Sequence, residues 1–246
     1  MSSCLLSIVT ICFNDLAGLK KTEKSIRNIP ELLACAEWIV IDGDSIDGTL
    51  THLCNNITVS KFLSEPDHGI YDAMNKGIAL SEGEYIIFMN SGDEFLKFNN
   101  VLEMLKSKKF DVISANSEVV SGSFKRIRRA RTANYIWHGN PAIHQSMVYR
   151  GYICKEVLYD KRFLICGDYA FTAEFYKRGS RFGICDEISS RFNVGGISTT
   201  HWPKLISEAA YVQSKILRLP KTFILISKVK RLVSVLLTML LYKLRF

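Results

Sequence analysis

The sequence predicts an α/β domain, a mostly parallel sheet flanked by helices, with an amphipathic helical tail at its C-terminus. Three observations carry that reading. Short apolar runs alternate with segments of helical spacing through the first ninety residues. Two of those runs end alike, in acidic turns: residues 38–41 lead into Asp42-Gly43-Asp44-Ser45-Ile46-Asp47-Gly48-Thr49, and residues 85–89 into Asn90-Ser91-Gly92-Asp93. Strand ends of this kind present carboxylates at the carboxyl edge of a sheet, where open α/β sheets bind ligands. Finally, 246 residues that are 48% hydrophobic fit one large domain with a small appendage.

Each element follows in order. Residues 7–13 form the first strand, bounded by Asn14 and Asp15. Residues 16–28 carry Leu16, Leu19 and Ile26 at helical spacing and stop before Pro30. The second strand is 38–41. Asp47 can cap a short helix running through Leu50 and Leu53, and residues 59–63 make a third strand. Residues 69–80 place Ile70, Ala73, Met74, Gly77 and Ile78 on one helical face, and 85–89 is the fourth strand. Strands separated by helices of this length imply parallel pairing through right-handed crossovers. In the less regular second half, 111–114 and 145–150 read as strands and 168–177 as a helix closed by Gly179. With no repeat or low-complexity linker, residues 1–219 form one catalytic domain.

The tail, 220–246, differs in character. Phe223, Ile224, Leu225, Ile226, Leu232, Val233, Val235, Leu236 and Leu237 are punctuated by Lys228, Lys230, Arg231, Lys243 and Arg245. Its uncharged run, 232–242, is shorter than the roughly 20 apolar residues needed to span a bilayer. A basic, apolar helix of this kind lies in the membrane interface; the alternative is a helix packed on the core or in a dimer. Residues 5–13 are apolar but lack a basic leader, so no cleavable signal peptide is expected.

The seven cysteines are scattered and never form a close Cys-x-x-Cys pair, which argues for reduced thiols in a cytoplasmic protein, not for disulfides or zinc. The net charge of +8 gathers in residues 125–131 and in the tail. Such surfaces meet phosphates, whether in nucleic acid, anionic lipid or a diphosphate-bearing substrate.

Residues 65–78, Glu-Pro-Asp-His-Gly-Ile-Tyr-Asp-Ala-Met-Asn-Lys-Gly-Ile, followed by Gly83-Glu84-Tyr85, resemble the signature of family 2 glycosyltransferases. Residues 39–49 are similar to that family's upstream loop. The Asn90-Ser91-Gly92-Asp93 turn, with His144-Gln145 and residues 195–199, resembles the colanic-acid and O-antigen branch. The resemblance spans roughly residues 5 to 200 and implies the A-type nucleotide-sugar fold. It also implies site residues. Asp42 would accept the N3–H of a uracil ring, with Thr10, Phe13 and Asn14 as the pocket wall. Asp67, Lys76 and Asn90 belong to the same nucleotide site, Lys76 meeting phosphate or simply lying exposed on its helix. Asp93 aligns with the metal-binding acid, for Mn²⁺ or Mg²⁺. Asn90 stands where the first acid of the usual Asp-x-Asp pattern is found, a departure that bears on how tightly metal is held. A hard cation of this type neutralises a leaving diphosphate as a Lewis acid.

Transfer with inversion needs one base and one in-line displacement. By resemblance Asp168, in Gly167-Asp168-Tyr169, opens the helix that carries this base. His144 and Gln145 fall on the acceptor side, though a structural histidine is an equal alternative. Ser198, Thr199 and His201 lie in a glycine-rich loop able to reach phosphate or metal. The function implied is an inverting hexosyltransferase. It would move a hexose from a UDP-sugar donor to a polyprenyl-diphosphate-linked sugar at the cytoplasmic membrane surface, in assembly of O-antigen, capsule or exopolysaccharide. A GDP-sugar donor is the alternative. A nucleotidyltransferase or a dinucleotide dehydrogenase would want a glycine cluster after the first strand, and Cys12-Phe13-Asn14-Asp15 has none. A nucleic-acid binder would interleave basic residues with exposed aromatics across the sheet; the charge gathers in two places instead, so no nucleic-acid partner is expected.

Overall fold

The computed structural model describes residues 4–193 and 201–243. Nine strands form one sheet: β1 (Leu6–Cys12), β2 (Ala36–Asp42), β3 (Lys61–Ser64), β4 (Tyr85–Phe88), β5 (Glu94–Phe95), β6 (Val112–Ser121), β7 (Phe124–Arg128), β8 (Met147–Arg150) and β9 (Phe182–Asn193). The order is β3-β2-β1-β4-β8-β6-β9-β5, with β7 paired to β6. The first four strands are parallel, joined through α1 (Leu16–Arg27), α2 (Pro30–Leu33), α3 (Thr49–Cys54) and α4 (Ile70–Leu80). The mostly parallel expectation therefore holds for this half. Beyond it the sheet is mixed: β8 runs antiparallel to both β4 and β6, while β9 runs parallel to β6 past a bulge at Ala115 to Ser117.

The central strands β1, β2, β4 and β8 are buried along nearly their whole length, as strands covered on both faces must be. One face packs on α1 and α5 (Asn99–Lys106) through Leu19, Ile26, Leu102 and Leu105. The other packs on α4, α6 (Gly151–Val157) and α7 (Gly167–Lys177), around Phe88, Tyr149, Tyr159, Phe171 and Phe175.

The segment around α4 shows why its sequence is so particular. Gly69 starts the helix with φ of 101°, a backbone that favours glycine. Asp72 folds back, its Oδ2 accepting the His68 N–H at 3.0 Å while Oδ1 pairs with Lys161. Asn75 donates to the Tyr159 carbonyl and accepts the Tyr159 N–H. Gly77 lets α4 lie directly on β1, since a Cβ there would fall 2.3 Å from Val9 Cγ1. Finally the Tyr71 hydroxyl donates to the Ile165 carbonyl and accepts the Gly167 N–H, both at 2.9 Å, fixing the first turn of α7.

The C-terminal region is helical: α8 (Trp202–Tyr211), a π turn at Val212–Ile216, and α9 (Lys221–Lys243). α9 lies against the short 3-10 helix Ala133–Trp137. Gln213 donates to both the Trp137 carbonyl and Ser227 Oγ, and Phe223 meets the Trp137 ring edge-on. Phe223, Leu225, Ile226, Val229, Leu232 and Val233 remain exposed. Among the described residues no helix is long and apolar enough to cross a membrane.

A Cβ added to Gly167 would sit 2.5 Å from the Tyr71 ring, which is buried and held at its hydroxyl. Gly167→Ala is therefore expected to destabilise the fold by about 1–3 kcal/mol through overpacking. Urea unfolding checks this; an unchanged midpoint would show that the ring gives way freely.

Candidate active site

Three loops meet at the carboxyl ends of β1, β2 and β4, and their own side chains knit them together. Asn14, at the end of β1 with φ of 48°, donates its N–H to Ser45 Oγ and accepts the Ile46 N–H on Oδ1. Asp47 accepts from Leu16 N with one oxygen and from Thr49 with the other, capping α3 and tying it to α1. Asp15 caps α1 at Gly18 and accepts from Ser91 Oγ at 2.8 Å, joining the β1 loop to the turn after β4. The loops are thus fixed before any ligand arrives.

Asp42 is fully buried, and its oxygens accept from Ser45 Oγ, Ser45 N and Ser64 Oγ. In the empty protein Asp42 holds the loop. Thr10 is tied in the same way: its buried hydroxyl accepts from Trp38 Nε1 at 2.9 Å. Phe13 is 66% exposed, and its ring and Asp67 both pack on Gly43. A Cβ on Gly43 would lie 3.2 Å from both the Phe13 ring and Asp67 Oδ2. Asp67 is held from behind by Lys76, whose Nζ reaches Asp67 Oδ1 at 2.7 Å and Glu65 Oε1 at 2.9 Å. Lys76 is therefore neither free for a phosphate nor simply exposed.

The Asn90 to Asp93 turn is organised by a residue that sequence reading passed over. Thr22 of α1 is fully buried; its hydroxyl donates to the Asp93 carbonyl at 2.7 Å and accepts the Gly92 N–H. Gly92 has φ of 88°. Asp93 ends up almost buried, and desolvation pushes its carboxyl up to about 7, against the backbone at Asn193, Lys21 and the Gln145 side chain. Asn90 Oδ1 is buried without a hydrogen-bond partner.

These groups fit a divalent cation in one specific sense. Among the described residues no three His, Cys, Asp or Glu side chains gather to hold a metal. One desolvated carboxylate beside an unsatisfied amide oxygen matches a cation that takes most of its ligands from the phosphates of its substrate. Asp93 would be the protein ligand, and the cation would supply positive charge to the leaving diphosphate.

Asp168 lies in the first turn of α7, partly exposed. Burial raises its pKa, opposed by the Tyr169 N–H, by Asn140 Nδ2 at 3.0 Å and by the charge of Arg128. A carboxyl raised in this way and held by two donors is poised to take a proton. Asn140 keeps its own Oδ1 buried and unpartnered, and Arg128 reaches the Asn140 carbonyl at 3.3 Å.

His144 is corrected as an acceptor contact. It is buried, stacks on Phe88, and exchanges a hydrogen bond with Tyr159 at 2.8 Å. Burial depresses its pKa to about 4, so it is a neutral core residue. Its neighbour Gln145 instead serves Asp93. His201 precedes α8 and is exposed, while Ser198 and Thr199 lie outside the described residues.

The chain resembles several known proteins. Over 95 residues it is 43% identical to an uncharacterized glycosyltransferase of Mycobacterium tuberculosis, a match covering 38% of this chain and 36% of that protein. Over 169 residues it is 23% identical to a PGL/p-HBAD biosynthesis glycosyltransferase of the same species, covering 66% and 61%. The matched region thus spans about a third of the first relative and under two thirds of the second. Among solved structures, S. aureus TarS 1-349 in complex with UDP-GlcNAc aligns with a TM-score of 0.68 at 16% identity, covering 94% of this chain and 71% of that one. The Pyrobaculum calidifontis mannosyltransferase PcManGT, in complex with GDP-Man and Mn²⁺, aligns with a TM-score of 0.67 at 12% identity, covering 92% and 69%. At these identities the structures speak for the fold alone. The model of the Glycosyl transferase family 2 domain matches residues 7–179, most of the nine-stranded body with all three loops of the site, and the chain belongs to that family.

Proposed function

We propose that the protein is an inverting glycosyltransferase that transfers a hexose from a UDP-sugar to a sugar carried on a polyprenyl diphosphate, in assembly of a bacterial surface polysaccharide. One observation carries the donor half of this reading: the Phe13 ring, 66% exposed, and Asp67 Oδ2 close together on Gly43, where even a Cβ would lie 3.2 Å from each. A flat base stacks on an exposed ring, and an imide N–H donates to the facing Asp67 Oδ2. Lys76 occupies Asp67 Oδ1, so the carboxylate offers one free edge. Uracil, with its single N3–H, suits one oxygen; guanine, with adjacent N1–H and N2–H donors, suits two. Solved relatives of the same fold are complexes with UDP-GlcNAc and with GDP-Man and Mn²⁺, which keeps both donor classes in the test.

In the transfer step Asp168 takes the proton from the acceptor hydroxyl as that oxygen attacks the anomeric carbon. Asn140 and the Tyr169 N–H hold the carboxylate in place. The C–O bond to the donor phosphate breaks on the opposite face, and the nucleoside diphosphate leaves towards Asp93, which would hold a divalent cation able to neutralise its charge.

The acceptor half rests on the tail. α9 presents Leu225, Ile226, Val229 and Val233 to the outside beside Lys228 and Lys230. That combination suits an interfacial helix at a membrane carrying anionic lipid. In this reading residues 220–246 are an appendage to a catalytic unit ending near 219, and the enzyme works peripherally at the inner face of the cytoplasmic membrane.

Nucleotide release from a panel of UDP- and GDP-sugars, with Mn²⁺, Mg²⁺ or EDTA and with a GlcNAc-diphosphate-lipid analogue, tests the reading. Acceptor-dependent release from one UDP-hexose, lost in EDTA, is expected; release from GDP-sugars only would overturn the base assignment. Because a proton and a cation compete for Asp93, the Mn²⁺ concentration giving half-maximal release should rise as pH falls below about 7. Asp168→Asn should lower kcat by about 10²–10⁴-fold with nearly unchanged UDP affinity. Equal loss of both would remove Asp168 from the base role. Deleting residues 221–246 should shift the protein from the membrane pellet to the supernatant, and continued sedimentation would count against the interfacial helix.

A further inference from the structure

The basic stretch that ends β7 and the basic residues of α9 are about a hundred positions apart in the chain, yet they converge. The short segment 135–141 collects them. Arg128 donates to the Asn140 carbonyl, and Arg131 lies 4.0 Å over the Tyr135 ring while its N–H bonds the Pro141 carbonyl. Lys230 stands 5.0 Å over the Trp137 ring, and Arg231 donates to the His138 carbonyl. His138 is itself fixed by Ser227 Oγ at 2.8 Å. None of the four cations has a carboxylate within ion-pair distance among the described residues, although elsewhere Lys61, Lys76, Arg150, Arg181 and Arg191 are paired. Arg231 Nε is buried and has no partner at all.

Concentrating four positive charges without counter-ions raises the local free energy, and their effect is visible on a neighbour. Burial, with Arg231, Lys230, Arg131 and Arg128 in turn, drives the His138 pKa down to about 4. Arg128, largely desolvated, is pushed below its ordinary value as well. A solvated charge run would have neither a buried guanidinium nor an orphaned N–H. The group also has an address: Arg128 and Asn140 touch the surroundings of Asp168, and the field of Arg231 reaches Cys166 and Tyr169 on either side of it.

We propose that Arg128, Arg131, Lys230 and Arg231 form a diphosphate clamp that holds the acceptor beside Asp168, with the orphaned Arg231 N–H as one of its donors. Guanidinium groups suit phosphate oxygens because they offer paired donors in a fixed fork. The inference rests on the reading of the acceptor as a diphosphate-linked sugar and adds where its diphosphate sits. Since two of the cations belong to α9, the same helix that exposes an apolar face would also complete the acceptor site.

The test compares two acceptors on the full-length protein: a GlcNAc-diphosphate-lipid analogue and the same sugar on a neutral alkyl chain of equal length. Arg131→Gln and Lys230→Gln alter side chains that lie over aromatic faces, and Arg231→Gln removes the buried donor; thermal unfolding verifies that each folds. Each should raise KM for the diphosphate acceptor about tenfold, with kcat/KM for the neutral acceptor and UDP affinity changed less than about twofold. Equal losses on both acceptors, or none on either, would overturn the clamp. Should the wild type use neither acceptor, the acceptor reading fails separately, and calorimetry of the UDP-saturated protein with methylenediphosphonate then decides the clamp. Binding weakened about tenfold in Arg131→Gln and Arg231→Gln supports it, whereas no binding, or binding equal in all variants, overturns it. Variants that lose affinity for phosphatidylglycerol vesicles but keep the acceptor KM would assign these cations to the lipid surface and overturn the clamp.

Discussion

The Tyr71 hydroxyl is the point on which both halves of the site turn. It comes from α4, the helix that leans on β1 through Gly77, and it accepts the Gly167 N–H at the start of α7. One rigid helix therefore sets the position of Asp67, through Lys76, and of Asp168, through Gly167. The distance between a nucleotide and a proton acceptor has to be held to fractions of an ångström for in-line displacement. A buried ring whose hydroxyl both donates and accepts, with stacked Tyr159 and Phe171 behind it, is a stiff way to hold it.

Around that frame the polar groups fall into two kinds. Asp42, Asp47, Asp15 and Thr22 are satisfied by their neighbours and serve the loops. Asp93, Asn90 and Asn140 retain unmet demand: a desolvated carboxyl, and two amide oxygens buried without partners. Leaving such groups unsatisfied costs about 1–3 kcal/mol each. These three groups lie at the cleft, whereas His144, Tyr149 and Thr172 in the core are paired. A site built this way trades stability of the empty protein for interactions available only when a ligand is present.

Much of this was legible in the sequence where local pattern and tertiary role coincide. β1, β2, β4 and α4 announce themselves because strands covered on both faces are continuous apolar runs, and α4 has one apolar face. β9 escaped because Asp186, Glu187 and Arg191 interrupt it, and a bulge breaks its period. β7 read as a charge run because an edge strand with exposed side chains, Phe124 to Ile127, buries almost nothing. The different settings of Asp42 and Asp67 were not legible at all. What closes Asp42 in is Ser64, which bonds it across a parallel strand pair. What lets Asp67 Oδ2 approach the β2 loop is the absence of a side chain at Gly43. Neither neighbour is adjacent in sequence to the carboxylate it governs.

The same limit explains the charge pattern. Composition counts +8 and places it in two blocks, but cannot say that the blocks meet. They meet because Gln213 and Ser227 hold the start of α9 against the segment that leads from β7 to Asn140. Charges of like sign brought together without carboxylates repel one another, and the packing of Phe223 on Trp137 has to offset that repulsion in the empty protein. An arriving diphosphate reverses the sign of the balance. Its binding and the docking of α9 are then coupled equilibria: whatever strengthens one strengthens the other by the same factor. On the proposed reading an interfacial helix and an acceptor site would need no separate signal between them, because they would share two side chains.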